Sequence, residues 1–552
     1  MFQDLEAFLP GIAVLKWLAA VLICGGIAAA VAIAVSLSEG GMTGPAKVWG
    51  AIRRGFGDLM GMSLRRIGAI ATLTLKESVR RQDVLVGVVF VLLVMFAGWF
   101  LSSTDLDTPA KPYISFVLTA VRWLILPVAL LLSCWGLPAD IKARSLHTVV
   151  TKPVRRSEIV LGRMLGYSAI MTIGVAIMGG VGYVWILRQV PEDAQSQLIS
   201  RVPVYGTLSF LDRTGDEVSH GVNTGDIWEF RSFIEGNTRA RAVYKFENLD
   251  PKRVAIDDGL QLEYRFELFR SHKGDIEQAV QAQFTLVDED SGIRVTYPPV
   301  PFEVREFADI QARSSDVAER NPLVTIPREL TYTPEGEQEA KTIDLFDDLM
   351  ADGDLTVEVK CVDSSQYLGA ARTDLFIRSP DRPFSSGYFK AVMGTWMMAL
   401  LVIVLGTTAS TFVKGPVATL LTGTLILTGL TLRPFMSKIL QEYYVDSKVV
   451  GGGMLESAYR LVTSMNVQSP LPENAGTSII QWVDAGILQG MLLLQFIIPD
   501  FTDFDMTPFV ANGFDVPWDY SLFPAIATTL GFLLPCLILG YFCLQWRELE
   551  AK

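Results

Sequence analysis

The chain has 552 residues, half of them hydrophobic and 19% charged, with a mean hydropathy of +0.34. Soluble proteins carry about 25% charge, so the average is too oily for one ordinary soluble enzyme. Residues 188–385 hold 22 Lys+Arg against 37 Asp+Glu, a net of −15 in a chain whose total is −12, so the remainder sums to +3. This pattern excludes a disordered chain, a small disulfide scaffold and a basic nucleic-acid binder. It points to an integral membrane protein with a large acidic insertion.

A bilayer core of about 30 Å needs about 20 apolar residues in a helix. Seven stretches qualify: Gly11–Ser36, Val84–Leu101, Ile114–Leu137, Ile159–Leu187, Tyr388–Phe412, the shorter Pro416–Leu432, and Leu522–Leu544. The first follows Asp4 and Glu6 with no base before it and is too long for a signal core, so residues 1–37 read as a retained anchor span. Lys/Arg in short loops set orientation. The segment 38–83 holds Lys47, Arg53, Arg54, Arg65, Arg66, Lys76, Arg80 and Arg81, and Pro138–Arg163 holds Lys142, Arg144, Lys152, Arg155, Arg156 and Arg163. Both are expected in the cytoplasm. Alternation then places the N-terminus, the acidic block and Pro434–Tyr520 outside, with Lys414 and Lys552 inside.

The expected layout is a first half of the bundle at 84–187, the outer block at 188–385, spans at 386–433, an outer or re-entrant segment at 434–520, and a last span and tail at 521–552. Within the acidic block the period changes to two. Leu260, Leu262, Tyr264, Phe266 and Leu268 alternate with polar residues, as do Val357, Val359 and Cys361. Turn signals at Thr214-Gly215-Asp216, Asp257-Asp258-Gly259, Asp290-Ser291-Gly292 and Asp352-Gly353 separate the runs. The expected fold is an antiparallel β-sandwich, or two divided near Asn321-Pro322.

Cys361 is the block's only cysteine and is expected buried, as a small hydrophobe. Asp288–Gly292 lacks the rest of a calcium loop and reads as a charged hairpin turn. His220 and His272 have no metal-ligand neighbour at helical or strand spacing. No metal site is expected.

Two basic stretches carry most of the functional signal. In Ser63–Asp83, Leu64, Ile67, Ile70, Leu73 and Leu75 suggest an apolar side. Arg65, Arg66, Lys76, Glu77, Arg80 and Arg81 flank it, as in a helix lying in the headgroup plane. In the second stretch, 138–158, a span ends at Leu137-Pro138, a short charged helix follows, and Lys152-Pro153-Val154-Arg155-Arg156 leads to Ser157 as N-cap with Glu158 in the first turn. A short charged elbow between two spans is a lever for a cytoplasmic partner.

Asp140, Ser145-Leu146, Pro153-Val154-Arg155-Arg156 and Val160-Leu161-Gly162-Arg163 resemble the coupling segment of type-2 ATP-binding-cassette (ABC) permeases, in their multi-span export branch. Leu75–Arg81 resembles the amphipathic helix that precedes that family's core. Thr407–Leu421 is similar to its tight turn between core spans. Ile498–Phe501, Asn512-Gly513 and Gln545–Glu548 are similar to its closing segment. The resemblance covers the membrane parts, not the acidic block or the first span. Asp140 stands where Glu is usual, and Ser145-Leu146 lacks the family's Gly-Thr.

The resemblance implies a six-helix permease core behind an N-terminal anchor span, in the plasma (bacterial inner) membrane. A second permease, copy or paralogue, would pair with it. A separate cytoplasmic ATPase would receive Asp140, Lys142, Arg144, Pro153, Arg155, Arg156 and Glu158 and would hold the ATP and Mg, with no cofactor on this chain. The chain itself has no Gly-x-x-x-x-Gly-Lys-Ser/Thr phosphate loop.

In Pro434–Tyr520, Ser437–Ser464 is helical but interrupted at Gly451–Gly453. The oily Ser478–Ile498, with Gln481, Asp484 and Gln489, is expected to be re-entrant or interfacial rather than spanning. Arg122 is a candidate intramembrane polar site, with outward snorkelling the preferred reading. Lys16 is expected to snorkel, and Gly179-Gly180-Val181-Gly182 to permit close helix packing. A membrane-anchored scaffold whose outer β region binds a protein or glycan is the competing function. A membrane-anchored enzyme is disfavoured, because no nucleophile elbow or paired His/Cys constellation is present.

Overall fold

A computed structural model describes residues 8–40, 44–80, 89–90, 93, 109–142, 154–218, 220–222, 231–257, 259–270, 279–288, 291–304, 323–332, 340–445, 453–466, 469, 471–472 and 474–550. Most of the expected span Val84–Leu101 lies outside the described residues, as do Arg81, Arg144, Pro153, His272 and Asn321-Pro322.

Among the described residues, ten helices of nine or more residues organise the non-β part: α1 (Pro10–Gly40), α2 (Gly44–Met60), α3 (Leu64–Arg80), α4 (Lys111–Lys142), α5 (Arg156–Gln189), α6 (Phe384–Phe412), α7 (Gly415–Val445), α8 (Met454–Val462), α9 (Ala475–Ile497) and α10 (Phe523–Glu550). Among the described residues, seven are long and apolar enough to cross a membrane: α1, α4, α5, α6, α7, α9 and α10. Six of these match expected spans; α9 is the addition.

α6 is the hub. Met398, Ala399, Leu401, Val402 and Ile403 are all fully buried, so the helix is enclosed on every side. α4, α5 and α10 pack around it, and α7 leans on α4 and α6. α1 buries nothing and rests on α10, where Trp17 Nε1 donates to the Gly531 carbonyl at 2.8 Å.

α7 runs past the expected limit at Leu432, through Arg433 and Pro434, to Val445. Arg433 is tolerated there because Asp500 faces it at 3.8 Å. The expected helix Ser437–Ser464 is therefore two elements, the end of α7 and the separate α8.

Three contacts fix the course of α9. Gln495 meets Ser437 (3.2 Å), Asp500 meets Arg433, and Phe501 packs on Gly429, so the chain descends α7 from its free end. It then climbs α6, with Phe504 against Gly394 and Phe514 near Gly387. Residues 498–517 thus form a wedge whose Phe501, Phe504 and Met506 are buried. α9 itself lies toward the free end of α7, and Asp484 caps α8 through the Leu455 and Glu456 N–H groups (2.9 and 2.8 Å).

The β domain joins α5 to α6. One sheet has the order β1 (Ile199–Tyr205), β16 (Leu375–Pro383), β7 (Gly259–Tyr264), β11 (Leu323–Pro327), with β6 (Ala255–Ile256) also on β7. The second runs β10 (Arg294–Val304), β9 (Val280–Val287), β14 (Leu355–Cys361), β5 (Arg241–Phe246), β2 (Thr207–Leu211), β3 (Glu217–Val218). Two small sheets pair β12 (Glu329–Tyr332) with β13 (Lys341–Asp344), and β15 (Gln366–Ala370) with β4 (Ser232–Glu235) and β8 (Glu267–Arg270). The pairings between these strands are antiparallel.

Leu260, Leu262 and Ile377 of the first sheet share one core with Tyr244, Phe284 and Val357 of the second. There is one sandwich, not two: β11 pairs with β7, and β14 sits between β9 and β5, so chain beyond residue 322 completes sheets begun before it. Leu260, Leu262, Tyr264, Phe266 and Leu268 are buried as expected, but Glu263 between them is buried too, paired with Arg201, and the run divides into β7 and β8 in different sheets. Cys361 is buried. The Asp288 carboxylate accepts the Ser291 N–H (3.3 Å) and hydroxyl (2.5 Å), a turn-closing role.

Candidate functional site at the base of the bundle

α2 and α3 mark one end of the bundle, here the base. α3 lies against the start of α5 because two glycines remove the barrier to approach. A Cβ on Gly162 would sit 2.7 Å from Ile70 Cβ, and one on Gly166 would sit 2.5 Å from Thr74 Cβ. The spacing Gly162-x-x-x-Gly166 puts both on one face of α5. α3 answers with Ile67, Thr74 and Ser78, all buried.

The buried stripe of α3 is therefore small and largely polar, unlike the expected apolar side. Leu64 is 86% and Leu73 52% exposed. They share the outward face with Arg65, Lys76 and Arg80, a face of mixed bases and apolar groups suited to a headgroup plane.

Glu158 fastens the two helices. Its Oε1 accepts the Ser63 N–H (2.8 Å) and Arg66 Nη2 (2.6 Å), and its Oε2 accepts Arg66 Nε (2.8 Å) and the Arg155 N–H (3.1 Å). The side chain is wholly enclosed, while Arg66 remains partly exposed. A buried carboxylate needs such a fork of donors to remain charged. One turn further, Arg163 Nη1 donates to Glu77 Oε2 at 2.9 Å.

A second set of contacts ties in α2 and α10. Arg155 Nη1 donates to the Gly57 and Asp58 carbonyls (2.7 and 3.2 Å), and its guanidinium lies 3.8 Å from the Asp58 carboxylate. Tyr541 donates its hydroxyl to Asp58 Oδ2 at 2.8 Å. Four elements, α2, α3, α5 and α10, thus meet in one ionic clasp.

Of the residues expected to face an ATPase, Arg155 and Glu158 are engaged within this clasp. Arg156 opens α5 half-buried, and Lys142 ends α4 exposed. Asp140 lies in the last turn of α4; its side chain, like Arg144 and Pro153, is outside the described residues. Asp58, Ser63 and Tyr541 were not legible as site residues, since each is an ordinary polar residue given meaning by a distant partner. The Gly162/Gly166 spacing was the one available signal. α2 was also missed, although Trp49, Ile52, Phe56 and Met60 repeat at helical spacing and all face outward.

At the other end, Arg122 of α4 is ion-paired with Asp505 of the wedge. Its counter-charge arrives from a segment far away in sequence. The wedge also grips the β domain. Arg201 exchanges backbone hydrogen bonds with Gly513 (2.9 Å) and Asp515 (2.8 Å), and its side chain donates to Glu263 and to the Asn512 carbonyl. Asp515 Oδ2 receives Arg382 of β16 and Lys390 of α6, each at 2.7 Å. β1 and β16 pair Ile199 with Pro383, and α6 begins at the next residue, Phe384. The helix that starts in the clasp and the hub helix therefore both run into paired strands.

No family model matches the chain, and no curated protein matches it.

Proposed function

We propose that the chain is the transmembrane permease subunit of an ATP-driven, ABC-type export complex in the plasma (bacterial inner) membrane. The base faces the cytoplasm, and the β domain lies outside. A separate ATPase subunit, holding ATP and Mg, docks on the elbow between α4 and α5. A second permease, copy or paralogue, completes the complex. The chain itself performs no catalysis.

The observation that carries this reading is the fastening of α3 to α5 at Glu158, Gly162 and Gly166. A push on the elbow moves α5 and α3 as one body. The same α5 leads through one short 3-10 helix, Glu192–Gln197, into β1. Tilting of packed helices is how such transporters alternate access, and this connection extends the tilt to the β domain. The Lys/Arg surplus at the base supports the orientation. The hairpin of α8 and α9 then lies at the outer surface, since α9 approaches the free end of α7 and the wedge returns through the bundle's outer half.

The test is purification from native membranes in mild detergent, where a Walker-type ATPase is expected to accompany the chain. Arg155→Glu with Arg156→Glu should insert normally yet lose coupling of ATP hydrolysis. Lys142→Glu should weaken ATPase binding while leaving the clasp intact. Wild-type coupling in both variants would overturn the proposal. So would cysteine labelling of intact cells that finds the elbow outside.

The size of the β domain favours one second reading, a membrane scaffold whose sandwich binds an external protein or glycan. It requires the chain to purify without an ATPase.

A further inference from the structure

The turn between β2 and β3, the turn between β4 and β5, and the end of β14 meet at one end of the larger sheet of the β domain. Leu211 pairs with Arg241, and Val359 with Ala242, so Lys360 comes beside Arg241 at the same end. The cleft there has a volume of about 810 Å³. Arg213, Arg239, Arg241 and Lys360 line it, with Thr214, Asn237, Thr238 and a single carboxylate, Glu235. We propose that this cleft binds a polar ligand through an anionic group, a phosphate or a carboxylate.

Four cations converge in a block whose net charge is −15. Like charges on adjacent strands destabilise a sheet, so the cluster carries a stability cost that an anion would relieve. The local carboxylates do not relieve it fully. Glu235 takes Arg213 Nη2 at 2.5 Å. Asp212 Oδ1 accepts the N–H groups of Thr214, Gly215 and Asp216, turning its charge into its own loop.

Arg241 is held in place by donating to the Thr238 and Ala240 carbonyls (2.9 and 2.7 Å). Burial depresses its pKa, Glu358 opposes that shift, and Arg294 adds to it. Among the described residues, the Arg239 and Lys360 side chains form no hydrogen bond or ion pair. They are the two cations left to reach an incoming anion. Arginine forks match phosphate and carboxylate oxygens in pairs.

The volume suits a small ligand. The lining has no aromatic or large apolar side chain, so charge and hydrogen bonding, not burial of carbon, would hold it. Anionic lipid headgroups offer the same chemistry as a soluble phosphate, so vesicles form a separate arm of the test. The inference stands apart from the permease reading.

The test uses the detergent-solubilised full chain and four probes: inorganic phosphate, galacturonate trimer, maltotriose and anionic phospholipid vesicles. Binding of phosphate or galacturonate at low salt is expected, weakened by about tenfold or more in Arg239→Gln/Lys360→Gln and abolished at high salt. Maltotriose should not bind. Mutual competition between phosphate and galacturonate places both in one cleft, while binding of galacturonate alone assigns a carboxylated sugar. Hydrogen exchange across β2, β5 and β14 must be no faster in the variant, since removing like charges should if anything slow it, and Lys360→Arg must restore binding to Lys360→Gln. No binding of either anion, binding unaltered in the double variant, or binding to vesicles alone would overturn the proposal.

Discussion

Glu158 and Arg66 form a two-pronged ion pair in which the carboxylate is wholly enclosed and the guanidinium reaches the surface. The acid lies at the first turn of α5, and the base at the first turn of α3. The same carboxylate accepts the N–H of Ser63 and of Arg155, so one side chain organises two helix starts. Glu158→Gln keeps the shape but cannot accept at every position. Amide exchange across Leu64–Arg80 should accelerate by about tenfold, the effect of losing one or two charge-assisted hydrogen bonds. Exchange in the β domain should be unchanged. Equal protection of α3 in the variant would show that the glycine contacts alone hold it.

Those contacts can be tested separately. A methyl at Gly166 would meet Thr74 Cβ at 2.5 Å and the Ala71 carbonyl at 2.9 Å. Overpacking of this kind costs about 1–3 kcal/mol. Gly166→Ala should detach α3 as judged by a disulfide engineered between the two helices, and Thr74→Gly in the same chain should recover part of the loss. If Gly166→Ala forms the cross-link at the wild-type rate, the close approach is unimportant.

Much of this architecture could be read from the residues, but not the partnerships that lock it. Oil in runs of helical length located six of the seven apolar helices, because such a run is legible without knowing any of its partners. Alternation located β7 and β14, because a sheet with one buried face repeats every two residues. Local chemistry could not disclose that Asp58 meets Tyr541, separated by 483 positions, or that Asp505 neutralises Arg122. The choice between one sandwich and two stayed open for the same reason: a turn signal marks where a strand ends, not which sheet receives the next one.

Arg122 makes that point testable. A cation eleven residues into α4 is costly without a counter-charge, by roughly 2.5–3.5 kcal/mol on insertion scales. Asp505→Asn should reduce folded yield in membranes and loosen the wedge, read as faster labelling of a cysteine placed at Phe504. Arg122→Asp with Asp505→Arg should restore both. Recovery by the exchange, absent from either single change, separates pairing from a need for one particular residue. A wild-type yield for Asp505→Asn would argue that Arg122 is solvated by other means.

The β domain's response to acid follows from Asp344. Burial raises its pKa, but Arg328 at 2.6 Å and the N–H groups of Asp347 and Phe346 outweigh this, and the net shift is below the ordinary value of 3.8. A depressed folded pKa contributes stability that is complete above the unfolded value and fades as pH falls through the folded one. Asp344→Asn should therefore raise amide exchange in β12 and β13 at neutral pH. The difference from wild type should begin to shrink as pH drops below about 3.8 and should vanish only below the lower folded pKa, where the wild-type side chain is also neutral. The pair is largely exposed, so the neutral-pH effect should be modest and should diminish in salt. A difference that stays constant down to the acid limit would assign Asp344 a role in shape, not charge. A difference that grows would mean that its folded pKa lies above the unfolded one, and the arrangement around Arg328 would then destabilise the anion.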